Sequence, residues 1–175
     1  AGIAQRVEDP KAPAVRGLLA DMVETMLDTP GVGLSAPPVH VPVRIVVFDV
    51  PDSRDPEHGG VPLTVLINPE VEPLSEEMVE DIEGCLSLPG MAGSVWRYTK
   101  IRYSGLNPAG DTIERNAEGY HARVVQHECD HLNGILYPMR MTDLTSFGYI
   151  EEMAKASAED AEVEAEAAEP EVADA

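Results

Sequence analysis

Gly119-Tyr120-His121-Ala122-Arg123-Val124-Val125-Gln126-His127-Glu128-Cys129-Asp130-His131-Leu132-Asn133-Gly134 is the stretch that decides how this chain folds. Within it, His127-Glu128-Cys129-Asp130-His131 reads His-Glu-x-x-His in a run with helical spacing. On an α-helix, residues i and i+4 share a face with Cβ atoms about 5–6 Å apart, so two imidazoles can grip one cation. Glu128, beside the first of them, can reach a water on that cation and act as its base. A helix is predicted from Tyr120 to Leu132, ended by the αL-tolerant pair Asn133-Gly134. Counting back from the histidines by three, four and seven puts Val124 and Tyr120 on the ligand side. Val125, Cys129 and Leu132 fall on other faces and read as core. Two histidines on one helix face are also a common surface arrangement, so the pattern needs support from elsewhere.

Catalytic zinc-type sites usually have three protein ligands and an open position. Downstream of the helix the candidates are poor: Asp143 lies in a Met-Thr-Asp-Leu-Thr turn, and an acidic tail follows. Upstream, Glu83-Gly84-Cys85-Leu86-Ser87-Leu88-Pro89-Gly90 offers a sterically open cysteine before a short turn. A thiolate near a cation is strongly deprotonated, which makes Cys85 a candidate ligand. The alternative is that Cys85 is a small buried hydrophobe, the commonest fate of a lone cysteine.

Three ordered motifs are more specific than any one of them. Gly31-Val32-Gly33-Leu34-Ser35-Ala36-Pro37-Pro38, Glu83 to Ser87, and Gln126 to His131 resemble the three motifs of the peptide deformylases. In that family they read Gly-x-Gly-Leu-Ala-Ala-Pro-Gln, Glu-Gly-Cys-Leu-Ser and Gln-His-Glu-x-Asp-His. Ile67-Asn68-Pro69, Ile101-Arg102-Tyr103 and Ala122-Arg123-Val124-Val125 are similar too, and the resemblance covers about residues 5 to 150.

The resemblance implies a hydrolase that removes the N-formyl group from nascent peptides starting with formylmethionine. It makes Cys85, His127 and His131 the metal ligands and Glu128 the general base, then the acid for the leaving amine. The backbone N–H of Leu86 would stabilise the formyl oxygen together with the Gln that ends the first motif. Gly31, Val32 and Gly33 match the strip that binds the substrate backbone, and their small bulk suits close approach. Tyr120, Arg123 and Val124 match positions lining the methionine pocket. Asp130 is expected to orient a ligand imidazole, with Gln126 beside it as a supporting residue. Glu83 and Arg97 are expected to pair and hold the motif strand. One divalent ion per chain is implied, Fe²⁺ in the cell, with Zn²⁺, Ni²⁺ and Co²⁺ also suited to a Cys-His-His set. The partners implied are a formylmethionyl peptide and, transiently, the ribosome.

Departures from the family pattern accompany the matches. Pro38 stands where the family has Gln, and proline has neither a side-chain amide nor a backbone N–H. Val39-His40-Val41-Pro42 lacks the Gly usual after that Gln, and Ala92 replaces an Arg that holds the peptide in many relatives. The family's Ile-Leu opening and Gly-Asp-Pro turn are missing before Ala4, which leaves a trimmed or a naturally short N-terminus as the alternatives.

Composition limits the function classes. The 175 residues carry a net charge of −20, and ten of the acidic residues with one Lys fall in 151–175. The rest is acidic in its own right, which argues against direct nucleic-acid binding. In some relatives a basic C-terminal helix docks on the ribosome; this tail has the wrong sign for RNA. No apolar run is long enough to span a membrane, and no signal peptide is visible. Two cysteines read better as ligand and core than as a disulfide, consistent with a cytoplasmic protein.

One domain over residues 1–150 is expected, followed by an acidic Ala/Glu-rich tail over 151–175 that passes from frayed helix to disorder. Val15, Leu18, Leu19, Met22, Val23, Met26 and Leu27 predict an amphipathic helix over 13–29. Residues 43–50 predict a buried strand, and 51–61 an exposed loop. His40, His58 and His121 read as ordinary loop or core histidines. Further strands are predicted near 63–68, 76–82, 99–106 and 111–116, the last two joined by Asn107-Pro108-Ala109-Gly110. Strands without βαβ alternation imply α+β: short, mostly antiparallel sheets around a central metal-binding helix, as in the family. Two functional readings follow. One is an active hydrolase, with low or altered activity because of Pro38. The other is a metal-retaining relative with little catalysis, or one acting on a different formylated substrate. A zincin-type protease lacks a downstream ligand.

Overall fold

Helix α1 (Pro13–Leu27) precedes strands β1 (Gly33–Ser35), β2 (Ile45–Val50), β3 (Val61–Pro73), β4 (Met78–Cys85), β5 (Leu88–Tyr98), β6 (Lys100–Leu106) and β7 (Thr112–Glu118). Helix α2 (Gly119–Leu132) and the short strand β8 (Gly148–Tyr149) follow, in a computed structural model that describes residues 2–156. All named strand pairs are antiparallel, in a five-stranded sheet ordered β1-β2-β3-β6-β7 and a three-stranded sheet β4-β5-β8. The architecture is α+β, as the sequence implies.

β2 explains the layering. It is apolar at almost every position because both faces of the larger sheet are covered. Val46, Phe48 and Val50 join Leu66, Ile101, Tyr103 and the α2 residues Val125, Cys129 and Leu132 in one cluster. Ile45 and Val47 point the other way, into a cluster with Leu19, Met22 and Met26 of α1. Each fully buried side chain of this size contributes roughly 1.5–3 kcal/mol. Helix α2 is therefore packed on one side against the larger sheet, which fixes the face it turns toward the smaller sheet.

Local signals account for the helix ends. Pro13 occupies the first turn of α1, where its missing N–H costs nothing. Leu27, expected in the apolar stripe, is instead exposed at the end of the helix. Gly134 follows α2 with φ 73°, the left-handed conformation expected after Asn133. The Asn107–Gly110 turn joins β6 to β7 as expected, with Asn107 and Gly110 N–H bonds closing it.

No strand is expected over 88–98 from the sequence, yet β5 runs eleven residues and pairs with β4 along its length. Pro89, Gly90, Gly93 and Ser94 read as loop residues, and the buried Arg97 breaks the apolar-inside alternation. Residues 150–156 are helical, while the part of the acidic tail from 157 onward lies outside the described residues. Among the described residues, no helix is long and apolar enough to cross a membrane.

Candidate active site

Cys85 ends β4 where the β4–β5 hairpin turns; its partner across the turn is Leu88, and a register irregularity separates it from Gly84. From there the thiol reaches α2, with Cys85 Sγ 3.3 Å from His131 Nε2. One ligand atom from each of Cys85, His127 and His131 lies within 4.8 Å of the others. A thiol and two imidazoles converging this closely fit a divalent first-row ion of the Zn²⁺ or Fe²⁺ kind.

Glu83, two residues before Cys85 on the same strand, supports this cluster. Its Oε2 lies 2.9 Å from His127 Nδ1. Arg97 binds both Glu83 oxygens, at 2.8 and 2.9 Å, and Arg123 Nη1 adds a third contact at 2.9 Å. Burial alone would raise this carboxyl, but the Arg97 and His127 hydrogen bonds hold it down at about 2. It is thus a carboxylate, and His127 Nδ1–H must be the donor. For Cys85, burial also opposes ionisation, but hydrogen bonding to His127 and then His131 lowers the thiol to about 5.

Glu128 is buried on the same face of α2, and burial raises its carboxyl above the ordinary range despite the opposing pull of His127 and His131. The Ser35 hydroxyl donates to Glu128 Oε2 at 2.9 Å. β1 comes so close that a Cβ on Gly33 would stand 2.7 Å from Glu128 Oε1. Gly33 is required here by approach, since even one methyl would displace the carboxylate.

A cleft of about 770 Å³ opens over these groups. Gly31, Val32 and Gly33 form one wall; Cys85 and Leu86 face it, and Tyr120, Arg123 and Val124 continue the helix side. Pro38 also lines the cleft, from a 3-10 turn at Pro37–Val39. The structure thus brings the sequence-derived candidates together, apart from two supporting residues.

Asp130 is expected to orient an imidazole, but its carboxylate accepts from Arg97 Nη1 at 2.6 Å and from Arg140 at 2.6 and 3.0 Å. Among the described hydrogen bonds it makes none to a histidine; Glu83 takes that part. Gln126 grips the backbone of Tyr98 through both ends of its amide, tying the end of β5 to the helix. Arg123 lines the cleft but has its guanidinium engaged by Glu83 and by the carbonyls of Val79 and Val95. Sequence reasoning missed the Glu83–His127 and Ser35–Glu128 contacts. For Glu83 a signal existed, because residues i and i+2 of a strand share a face and Cys85 faces the helix.

Fold and site together suit a metal-dependent hydrolase, with two histidines of α2 and a cysteine of the β4–β5 hairpin brought together as candidate ligands. The family model for polypeptide deformylase matches residues 2–147. Peptide deformylase 1 of Nitrosomonas europaea is 56% identical over 147 residues, covering 83% of this chain and 84% of that protein. Peptide deformylase 1 of Bordetella pertussis is 55% identical over 150 residues, covering 85% of each. Among solved structures, the Ehrlichia chaffeensis peptide deformylase in complex with actinonin superimposes with a TM-score of 0.75 at 36% identity, covering 83% of this chain and 84% of that one. A Met-Ala-Ser-bound class I type b peptide deformylase from Acinetobacter baumannii gives 0.74 at 36% identity, covering 80% and 90%. This chain belongs to the polypeptide deformylase family.

Proposed function

We propose that this enzyme removes the formyl group from formylmethionine at peptide N-termini, releasing formate and a free amine. The observation that carries this is the convergence of Cys85, His127 and His131 beneath a cleft whose walls hold Glu128 and a glycine strip. The relative solved with Met-Ala-Ser supports a methionine-led peptide as the occupant.

Cys85, His127 and His131 would hold the ion. A divalent ion there supplies Lewis acidity, polarising the carbonyl and lowering the pKa of a water. Glu128 takes the proton of the attacking water and returns it to the amine nitrogen as the C–N bond breaks. Its burial suits the first step, because a carboxylate held above its ordinary range is a stronger base, and it keeps the protonated form better populated for the second. Ser35 restrains Glu128 Oε2 and leaves Oε1 facing Gly33 and the cleft. The Leu86 N–H is the oxyanion donor, at the tip of the hairpin. Gly31 to Gly33 hold the peptide backbone, and Tyr120 and Val124 flank the methionine side chain.

Pro38 carries the second part of the proposal. The family's oxyanion amide has no counterpart in a proline, and loss of one such donor typically lowers kcat by about 10²–10³, or roughly 2.7–4 kcal/mol. We therefore assign this chain a slow deformylase reaction. The alternative, a metal-retaining relative with little catalysis or with another formylated substrate, is favoured only by the same residue. Fe²⁺ is the ion we assign in the cell and the cytoplasm the place of reaction, where substrates meet the enzyme transiently at the ribosome. The test is Glu128→Ala: turnover of a formyl-Met peptide should vanish while the ion stays bound. Loss of the ion in that variant would make Glu128 a ligand and contradict its assigned role.

A further inference from the structure

The loop between β2 and β3 borders the cleft and is clasped to the start of α2. Asp55 is buried within this mostly exposed loop. Its Oδ1 lies 2.8 Å from His58 Nδ1, and its Oδ2 accepts the backbone N–H of His121 at 3.3 Å. His121 is the third residue of α2, and the flanking Glu118 gives that helix no side-chain cap. Asp55 thus satisfies one of the unpaired donors of the helix start from a distant segment. Gly119, with φ 57°, allows the contact: a Cβ there would stand 2.6 Å from His58 Nδ1 and 3.2 Å from Asp55 Oδ2. The loop is tied on the other side too, where Gly60 N–H donates to Asp52 Oδ1 at 2.6 Å and Arg54 N–H to Pro51 O at 2.9 Å.

Arg54 sits inside this clasp and lines the cleft. Its backbone is therefore held against the helix that carries His127, Glu128 and His131. The other charges lining the cleft are mostly engaged. Arg123 and Glu83 bind each other, Arg97 and His127 complete the shell of Glu83, and Glu128 holds Ser35. Arg54 and Asp81 remain, neither in an ion pair among the described residues, and Asp81 Oδ1 accepts the N–H of Ile82. Tyr120 lies near both: burial raises its phenol, and Arg54 is the nearby charge that counters this most. In a chain of net charge −20, an unpaired guanidinium at the substrate cleft is an exception to the prevailing sign.

Resting on the deformylase reading, we infer that Arg54 is a specificity-determining residue that favours peptides with an acidic side chain shortly after the methionine. A guanidinium offers forked donors that match a carboxylate. Because Arg54 is exposed, the contact is screened and its effect is modest, and a surface charge of this kind acts mainly on encounter and binding.

The test uses metal-loaded enzyme and C-terminally amidated formyl-Met-Xaa-Ala peptides with Xaa as Ala, Glu or Lys. Amidation removes the terminal carboxylate as a competing partner. Wild type should favour Glu over Lys by about three- to tenfold in kcat/KM, mostly through KM, with the ratio falling toward one in about 0.5 M salt. Arg54→Lys should keep the preference in weaker form, and Arg54→Glu should reverse it. Equal Glu and Lys rates in wild type and in Arg54→Glu, alongside turnover of the Ala peptide, overturn the assignment of Arg54 alone. A wild-type preference for Lys also overturns it and points to Asp81 as the dominant charge. No turnover of any of the three peptides by wild type overturns the deformylase reading and this inference with it.

Discussion

His127 gives its Nδ1 hydrogen to the Glu83 carboxylate across 2.9 Å, and this contact leaves Nε2 as the nitrogen on the Cys85 side, where a cation would be held. Glu83 in turn is locked by two arginines, one from β5 and one from α2. The His127 ring is therefore oriented by the same buried charge network that joins the hairpin to the helix. Such supporting partners typically change metal affinity or activity by about 10–100-fold when removed.

Glu83→Gln should show both consequences at once. The amide cannot neutralise Arg123, whose carboxylate partner is Glu83, while Arg97 keeps Asp130. Buried positive charge at Arg123 is left uncompensated, a change that usually costs about 3–5 kcal/mol. Thermal unfolding should report that loss, and chelator competition should show ion affinity weakened by about 10–100-fold. A variant with wild-type affinity and stability would remove Glu83 from the site.

Gly33→Ala tests the close approach of β1 to Glu128. A Cβ would lie 2.7 Å from Oε1 and 2.9 Å from Cγ, so the carboxylate must move. We expect kcat to fall by about 10²-fold, the cost of an ångström-scale misplacement, with ion content retained. Unchanged kcat would mean that Glu128 can act from another rotamer.

Low pH should expose His121. Its ring is buried beside Phe48 and Tyr103, and burial first, then the nearby Arg115, lower it to about 4, with Asp55 pulling the other way. The folded protein thus holds it neutral where the unfolded chain, titrating near 6.5, binds a proton. That stability is fully present above about pH 6.5 and is lost as pH falls from there through about 4, by on the order of 3 kcal/mol. Denaturant unfolding of wild type and His121→Gln across this window should show a smaller pH dependence in the variant. Parallel curves would contradict a neutral buried His121.

Much of this was legible in the sequence, for reasons that differ by element. The α2 residues announce themselves because one face is apolar toward β2 while the other carries the His-Glu-x-x-His pattern, so periodicity and chemistry coincide. β2 is legible because burial on both faces leaves a continuous apolar run. β5 is hidden because its glycines and Pro89 imitate a loop and because Arg97 points inward, balanced by Glu83 and Asp130 only in three dimensions. Asp130 misleads for the same reason: its position beside His131 suggests an imidazole partner, while its actual partners are Arg97 and Arg140, far away or beyond the helix. Long-range ion pairs leave no local spacing to read.

Pro38→Gln probes the deficit assigned to the first motif. Pro38 lines the cleft, so an amide introduced there borders the space a substrate would fill. The variant should recover part of about 10²–10³ in kcat with little change in KM. Val39 and Pro42 shape the following turn and limit the recovery. Equal kcat in both proteins, at the level of ordinary deformylases, would show that another donor serves the oxyanion.

The most direct measurement is formate release from a formyl-Met-Ala-Ser peptide by freshly purified, ion-reconstituted wild-type protein, with elemental analysis of the same sample. We expect one divalent ion per chain and slow, catalytic formate release, with both strongly reduced in Cys85→Ser. Wild-type protein that takes up no ion and releases no formate would contradict the account at its centre.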